Sequence, residues 1–122
     1  MSEAVTFWEA VKHICEKDAR FKPEAYGFVM ESLEFTIQGL DKRRHISATE
    51  LLHGLSQHAK NKYGLLAHTV LADWGIQTGK DVGKIVYHLV EAGQLTKQAE
   101  DRYEDFEQDF DFEKILERDY FK

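Results

Sequence analysis

Three basic side chains at regular spacing are the first candidates for chemistry in this chain. Lys80, Lys84 and His88 recur every four residues in a predicted helix over 79–92. This spacing puts them on one helical face, opposite the apolar residues that a core would bury. A cationic helix face is what contact with phosphate groups requires, so the face is a candidate for binding nucleic acid.

The same helix also carries evidence against nucleic-acid binding. Its outer face has no Arg, Asn or Gln that would read base edges. The carboxylate of Asp81 would repel phosphate. A solvated Lys/His face on a plain helical hairpin therefore stays open as the competing interpretation, and it is the favoured one.

The sequence contains one partial match to a metal-binding motif and one to a nucleotide-binding motif. Glu50 and His53 have the Glu-x-x-His spacing of di-iron helical bundles, which need a second copy and two more glutamates. The sequence has no second copy. The segment 75–81 has three residues between its glycines and Asp81 after Lys80, whereas a phosphate-binding loop needs four residues and then Ser or Thr. We therefore expect no cofactor.

Nucleophilic catalysis has one candidate residue, Cys15. It lies on the apolar face of a predicted helix over 4–19, where a buried, unreactive thiol is the common case. A single cysteine also excludes an internal disulfide. No Gly-x-Ser-x-Gly segment or other nucleophile motif is present. An enzyme is therefore not the expected class.

The net charge of −6 belongs to one part of the chain. Residues 99–122 hold ten acids and four bases, whereas 1–98 are balanced and 41–98 carry +3. Phe106 and Phe110 alternate with the acids of this segment. These rings are expected either to enter a basic, apolar groove on a partner or a second copy, or to close the domain's own core. The second interpretation is favoured.

The helix predicted over 23–38 is apolar on two sides. Phe28 and Phe35 lie opposite its main apolar stripe. Such a helix either lies at the centre of the core or contacts a partner. Phe28, Phe35, Phe106 and Phe110 are therefore the candidate partner-contact residues.

The elements that position these residues are predicted to be helices. Two cap signals stand out: Ser47 with Glu50 forms a capping-box pattern, and Thr78 with Asp81 resembles a second cap. Gly39, Gly64, Gly75 and Gly93 mark helix ends. The predicted helices cover 4–19, 23–38, the residues from the Ser47 cap to the position before Gly64, 65–74 and 79–92. In the helix 65–74, Leu66 is predicted to lie on one face with Val70, Leu71 and Trp74.

These elements predict an all-α fold, a compact single-domain bundle of five to six helices over 1–122. Hydrophobic residues make up 43% of the chain, which is enough for an ordinary core. The order of elements over 65–95 also resembles the helix-turn-helix centre of winged-helix proteins. The absence of a signal peptide or a membrane-length apolar run favours a cytoplasmic location.

The middle of the chain resembles a family of small bacterial proteins of unknown function, found largely in planctomycete- and verrucomicrobium-type genomes. The resemblance covers most of 20–116 and implies a bacterial, freestanding protein, but it carries no activity or site residue. The residues that carry it include Arg44-His45-Ile46-Ser47, Glu50-Leu51-Leu52, Tyr63-Gly64, Trp74-Gly75-Ile76, Gly83, Ile85-Val86, Leu89-Val90-Glu91 and the segment from Phe110 to Phe112.

Three functional hypotheses follow from the sequence. The leading one is a non-enzymatic interaction or adaptor protein that binds a protein partner or itself as a homodimer. The second is a DNA-binding module that uses helix 79–92. The third is a small-molecule or metal-binding protein or an enzyme.

Overall fold

The computed structural model describes residues 3–95 (side chains from residue 6), 105–106, 111–113 and 116. These ranges are helical and contain no β-strand, so the all-α prediction is confirmed for them. One isolated antiparallel bridge joins Thr78 and Asp111. The helices are α1 (Glu3–Lys17), α2 (Pro23–Gln38), α3 (Ala48–Tyr63), a 3-10 turn (Gly64–Leu66), α4 (Ala67–Asp73) and α5 (Gly79–Glu91).

Helix α2 is the central element of the core. Pro23 stands in its first turn, where the missing N–H leaves no hydrogen bond unmade. The helix packs against α1, α3 and α5, most extensively against α3. Both apolar sides of α2 are therefore covered by other helices, and its side chains Tyr26, Phe28 and Val29 are buried. The two-sided pattern indicates a central helix.

Helices α2 and α3 approach each other closely at one glycine. The Thr36 hydroxyl donates to the Ser32 carbonyl at 2.7 Å and lies directly against the α3 backbone at Gly54. A Cβ atom at position 54 would overlap Thr36 Oγ1. The absence of a side chain at Gly54 therefore sets the distance between the two helices.

The first turn of α3 forms the predicted capping box. The Ser47 hydroxyl accepts from the Glu50 N–H at 3.1 Å, and the Glu50 carboxylate accepts from the Ser47 N–H at 2.9 Å. Arg44 donates two further hydrogen bonds to this carboxylate, at 2.7 and 3.0 Å. The Arg44 bonds and then the Ser47 N–H lower the pKa of Glu50 to about 2.

This cap predicts an acid-dependent loss of stability. A carboxylate whose pKa is lower in the folded chain than in the unfolded chain stabilises the fold above its unfolded pKa, near 4.5. The stabilisation should disappear as the pH falls from there towards about 2. Urea unfolding between pH 7 and pH 2.5 should show a steeper acid limb for the native chain than for Glu50→Gln. Parallel curves would contradict this expectation.

The connection between α3 and α4 differs from the prediction. Gly64 has φ +57° and ends α3, and a 3-10 turn then leads into α4. Leu66 was predicted to share a face with Val70 and Leu71 in one helix, but it lies in the 3-10 turn and is 64% exposed. A 3-10 turn advances three residues per turn instead of 3.6, so Leu66 does not continue the apolar stripe of α4.

The loop before α5 is organised by Asp81. Its carboxylate accepts from the N–H groups of Gln77 and Thr78 at 2.9 and 3.2 Å, and this confirms the predicted cap. Arg20 contacts the other carboxylate oxygen at 3.4 Å. Asp81 is nearly buried, so its charge is used to hold the loop and the start of the helix.

The described residues of the acidic C-terminal segment lie against this loop and α5. The Phe112 N–H donates to the Gln77 carbonyl at 3.1 Å. Phe106 lies on Gly83, where a Cβ atom would come within 2.7 Å of the phenylalanine Cβ. Phe106, Phe112 and Leu116 are all buried in the hydrophobic core. These three side chains close the chain's own core, as the favoured interpretation of the segment predicts.

Candidate interaction surface

The predicted cationic face of α5 is smaller than its spacing indicates. Lys80 is exposed and Lys84 is half-buried, so both can meet a ligand. His88 is instead held between two other elements. Its Nδ1 atom is 2.8 Å from the Tyr26 hydroxyl, and its Nε2 atom is 3.7 Å from Asp18 Oδ2. The structure therefore leaves two lysines on this face and places His88 in an internal contact.

Tyr26, His88 and Asp18 form a chain of polar groups at the edge of the core. Tyr26 is fully buried, and burial, followed by the charges of Cys15 and Asp18, raises the pKa of its hydroxyl. The hydroxyl therefore keeps its proton and can donate it to His88 Nδ1. The tautomer with its proton on Nε2 fits this arrangement, since that proton then faces Asp18. The chain fastens α2 to α5.

Cys15 lies beside this polar chain but is not an activated thiol. Burial, followed by the charges of Asp18 and Glu24, raises its pKa above the ordinary value. Its Sγ atom is 3.7 Å from the Phe21 carbonyl oxygen, to which the protonated thiol can donate. A protonated thiol is a poor nucleophile. The geometry thus agrees with an unreactive, partly buried cysteine.

Phe28 was a candidate for partner contact, and the structure places it elsewhere. Its side chain is only 2% exposed, and its ring stacks on His58 with 5.0 Å between centroids. Trp74 and Tyr63 cover further parts of the ring. The core thus uses the Phe28 ring, because side chains of α3 and Trp74 at the end of α4 cover this side of α2. Phe35 is half-buried beside His58, 4.8 Å between centroids.

Of the two partner-contact candidates in the C-terminal segment, the structure describes only Phe106. Phe106 is 6% exposed, because it covers Gly83 on α5. It is therefore unavailable for the partner contact considered for it. Phe110, the other candidate, lies outside the described residues.

A surface that the sequence did not single out lies at the α3–α4 connection. Leu65 and Leu66 are adjacent in the 3-10 turn and are 57% and 64% exposed. Val70 on α4 is half-buried, as is Tyr63 at the end of α3. We call Leu65, Leu66 and Val70 together the Leu65–Leu66 surface. Leu65 and Leu66 are the most exposed large apolar side chains in the described part of the chain.

One signal in the sequence identifies this surface in retrospect. Gly64 precedes two leucines, and a glycine that takes a positive φ ends a helix instead of continuing it. The apolar stripe must then restart after the glycine, with Ala67 and Leu71 as the buried residues of α4. Leu65 and Leu66 stand before that stripe and are left outside.

The described ranges contain no group of three or more His, Cys, Asp or Glu side chains that could hold a metal ion. Glu50, one of the residues with di-iron spacing, is bound to Arg44. No described helix combines the length and apolar character needed to cross a membrane. Comparison of the chain with models of protein families, with curated proteins and with solved structures found no match.

Proposed function

We propose that this protein is a non-enzymatic interaction protein that binds a protein partner through the Leu65–Leu66 surface. The single observation that supports the proposal is the exposure of two adjacent leucines, each by more than half of its side chain. Scattered apolar side chains are ordinary on a protein surface, whereas contiguous ones mark binding sites. The remaining candidates for partner contact that the structure describes are partly or fully used by the core.

Covering the Leu65–Leu66 surface should contribute substantially to the free energy of binding. Burying the remaining apolar area of one leucine contributes roughly 1 to 2 kcal/mol. Two adjacent leucines therefore supply the apolar centre that a small interface needs, with polar residues around it. The half-buried ring of Tyr63, at the end of α3 and next to the 3-10 turn, packs edge-on against Trp74 with 5.9 Å between centroids.

Binding of DNA through α5 is the alternative that the sequence raised, and we rank it second. Lys80 and Lys84 support it, because both can reach phosphate groups. The engagement of His88 by Tyr26 removes the third cation from the face. A bundle of five to six helices with a winged-helix-like centre stays a prediction.

A photo-crosslinking amino acid at position 66 tests the proposal. We expect an adduct with a second protein when the substituted chain is exposed to a bacterial extract, because residue 66 would lie inside the interface. A crosslinker at position 70 should give the same adduct in the native sequence. The double variant Leu65→Ser, Leu66→Ser with the crosslinker at position 70 should lose it. Its free energy of unfolding should stay within about 0.5 kcal/mol of the native value, since both leucines are exposed.

Position 87 provides the matched control. Tyr87 is also a large, exposed side chain, 42% accessible, but it lies on α5. A crosslinker there should give no adduct with the same protein. An absence of adducts at position 66, together with a monomer in light scattering at high micromolar concentration, would overturn the proposal.

A further inference from the structure

The residues around the Leu65–Leu66 surface have an unusual charge distribution for an acidic protein. No Asp or Glu occurs in residues 51–72, which contain two lysines and three histidines. The whole chain carries −6. The sequence from Leu51 to Ala72 therefore differs in charge from the chain as a whole.

A row of polar side chains begins at Thr49 and continues along α3 into this stretch, and the Gln57 amide in it already donates to Asn61 at 2.8 Å. Thr49, His53, Gln57 and Lys60 recur every three or four residues and share one helical face. Thr49, His53 and Gln57 are exposed, and Lys60 is half-buried. We call these four residues the α3 donor row. The row leads towards Gly64, directly before the exposed leucines.

An open groove accompanies the donor row. It has a volume of about 530 Å³, and its lining includes all four residues of the row together with Thr36 and Gly54. Thr36 and Gly54 meet within this lining, where the Thr36 side chain occupies the position that a Cβ atom at residue 54 would need. The row and the two leucines together extend from residue 49 to residue 66, a distance of about 26 Å at helical rise. A segment of about five helical turns could follow both.

The charges beside the row leave it net positive. Glu50 at its beginning is bound by Arg44 at 2.7 Å, so that pair is neutral. On the other side of α3, Glu31 binds Lys62 at 3.0 Å and His58 at 3.3 Å. Lys60 forms no ion pair with any residue in the described ranges. Its charge is therefore available to an anionic group of a ligand.

From this arrangement we infer that the partner presents an acidic amphipathic helix. Its carboxylates would lie over Lys60, and its apolar residues would cover Leu65 and Leu66. Binding of a helix in a groove with charges at its margin is a recurrent mode of recognition. The inference deepens the proposed function and depends on it.

The same charges argue against a symmetric dimer through this surface. A two-fold contact would bring the surface against its own copy, so Lys60 would face cations of the second chain. Like charges across an interface oppose binding, whereas carboxylates of a different partner would favour it. A second copy is therefore an outcome that the experiment must be able to reveal.

Two designed 18-residue peptides test the inference on the full chain. Both carry leucines along one helical face, and the flanking residues are glutamate in one peptide and lysine in the other. We expect the acidic peptide to shift the amide resonances of residues 53–66 in a two-dimensional ¹H–¹⁵N spectrum, with little effect from the lysine peptide. The shifts should weaken as salt rises from 20 to 300 mM, because salt screens exposed charges.

A pair of charge-reversal variants provides the matched control. Lys60→Glu should weaken binding of the acidic peptide about fivefold at low salt, the fold-change expected for loss of one exposed ionic contact. Lys42→Glu makes the same charge change in the exposed connector before α3 and should leave binding unchanged. Equal weakening by both variants would show a general charge effect and would overturn the inference.

Other results would also overturn it, and they are distinguishable from failure of the proposed function. Stronger shifts of residues 53–66 with the lysine peptide, with a short DNA duplex or with anionic vesicles would assign another ligand class. A concentration-dependent dimer through these residues would assign a second copy. If the adduct at position 66 persists in Lys60→Glu and the acidic peptide does not bind, the inference fails while the proposed function stands. If no adduct forms at position 66, the proposed function itself fails.

Discussion

Replacement of Phe112 by alanine is expected to lower the free energy of unfolding by about 3 to 5 kcal/mol, the range for removing a buried phenylalanine ring. The side chain is completely buried and belongs to the same core as Val82 and Ile85 on α5. Its N–H also fixes the C-terminal segment to the loop before α5 through Gln77. Urea unfolding followed by circular dichroism at pH 7 measures the loss.

Two further variants make this expectation specific. Phe112→Leu keeps most of the apolar volume and should cost less than about 1.5 kcal/mol, so it also gives a folded protein if the alanine variant does not fold. Glu113→Ala changes the exposed neighbour and should be nearly neutral. An unchanged stability of Phe112→Ala would mean that the segment is a separate peptide and not part of the core.

Gly54→Ala is expected to be the most damaging small substitution at a helix interface. Alanine is the better helix former by about 1 kcal/mol, so an exposed glycine-to-alanine change in a helix usually stabilises. At this site the new Cβ atom would overlap Thr36 Oγ1, and α2 and α3 would have to move apart. We expect a net loss of about 1 to 3 kcal/mol, as for overpacked cores.

A double-mutant cycle measures whether the cost arises from this contact. Thr36→Ala removes the hydroxyl that the new methyl group would meet, so Gly54→Ala should cost less in that background. Equal costs in the native and Thr36→Ala backgrounds would contradict the proposed cause. Thermal unfolding of the four proteins under one set of conditions gives the coupling energy.

The sequence predicted those elements whose causes are local. The Ser47–Glu50 capping box forms within four residues, and the end of α2 at Gly39 lies where the glycine indicated. Both depend on backbone hydrogen bonds between residues close in the chain, so periodicity and cap residues suffice to find them.

Long-range contacts account for what the sequence could not reveal. His88 was assigned to a solvated face because its spacing matches Lys84, but Tyr26, 62 residues earlier, captures its ring. Arg20 and Asp81 meet across 61 residues, so the cap that the sequence predicted at Asp81 is also joined to the segment before α2. Helical spacing predicts a face, but only the packing of helices decides what covers that face.

For Leu66, helical spacing predicted a place on an apolar face, but the side chain is exposed. Spacing assigned Leu66 to the stripe of Val70 and Leu71, and this would be correct for an unbroken helix. The positive φ of Gly64 and the 3-10 turn change the angular position of Leu66. The two exposed leucines therefore lie where regular periodicity stops.

The burial of Phe106, Phe112 and Leu116 has a consequence for biosynthesis. The core of the described residues receives side chains from Val11 in α1 through to Leu116, which is synthesised long after the five helices. Domains fold from their N-terminal side during synthesis, and this one cannot finish its core until residue 116 has left the ribosome. A nascent or prematurely ended chain would expose the uncovered side of α5, including Gly83, to chaperones and proteases. Release of residue 116 from the ribosome would thus act as the last step in completing this core.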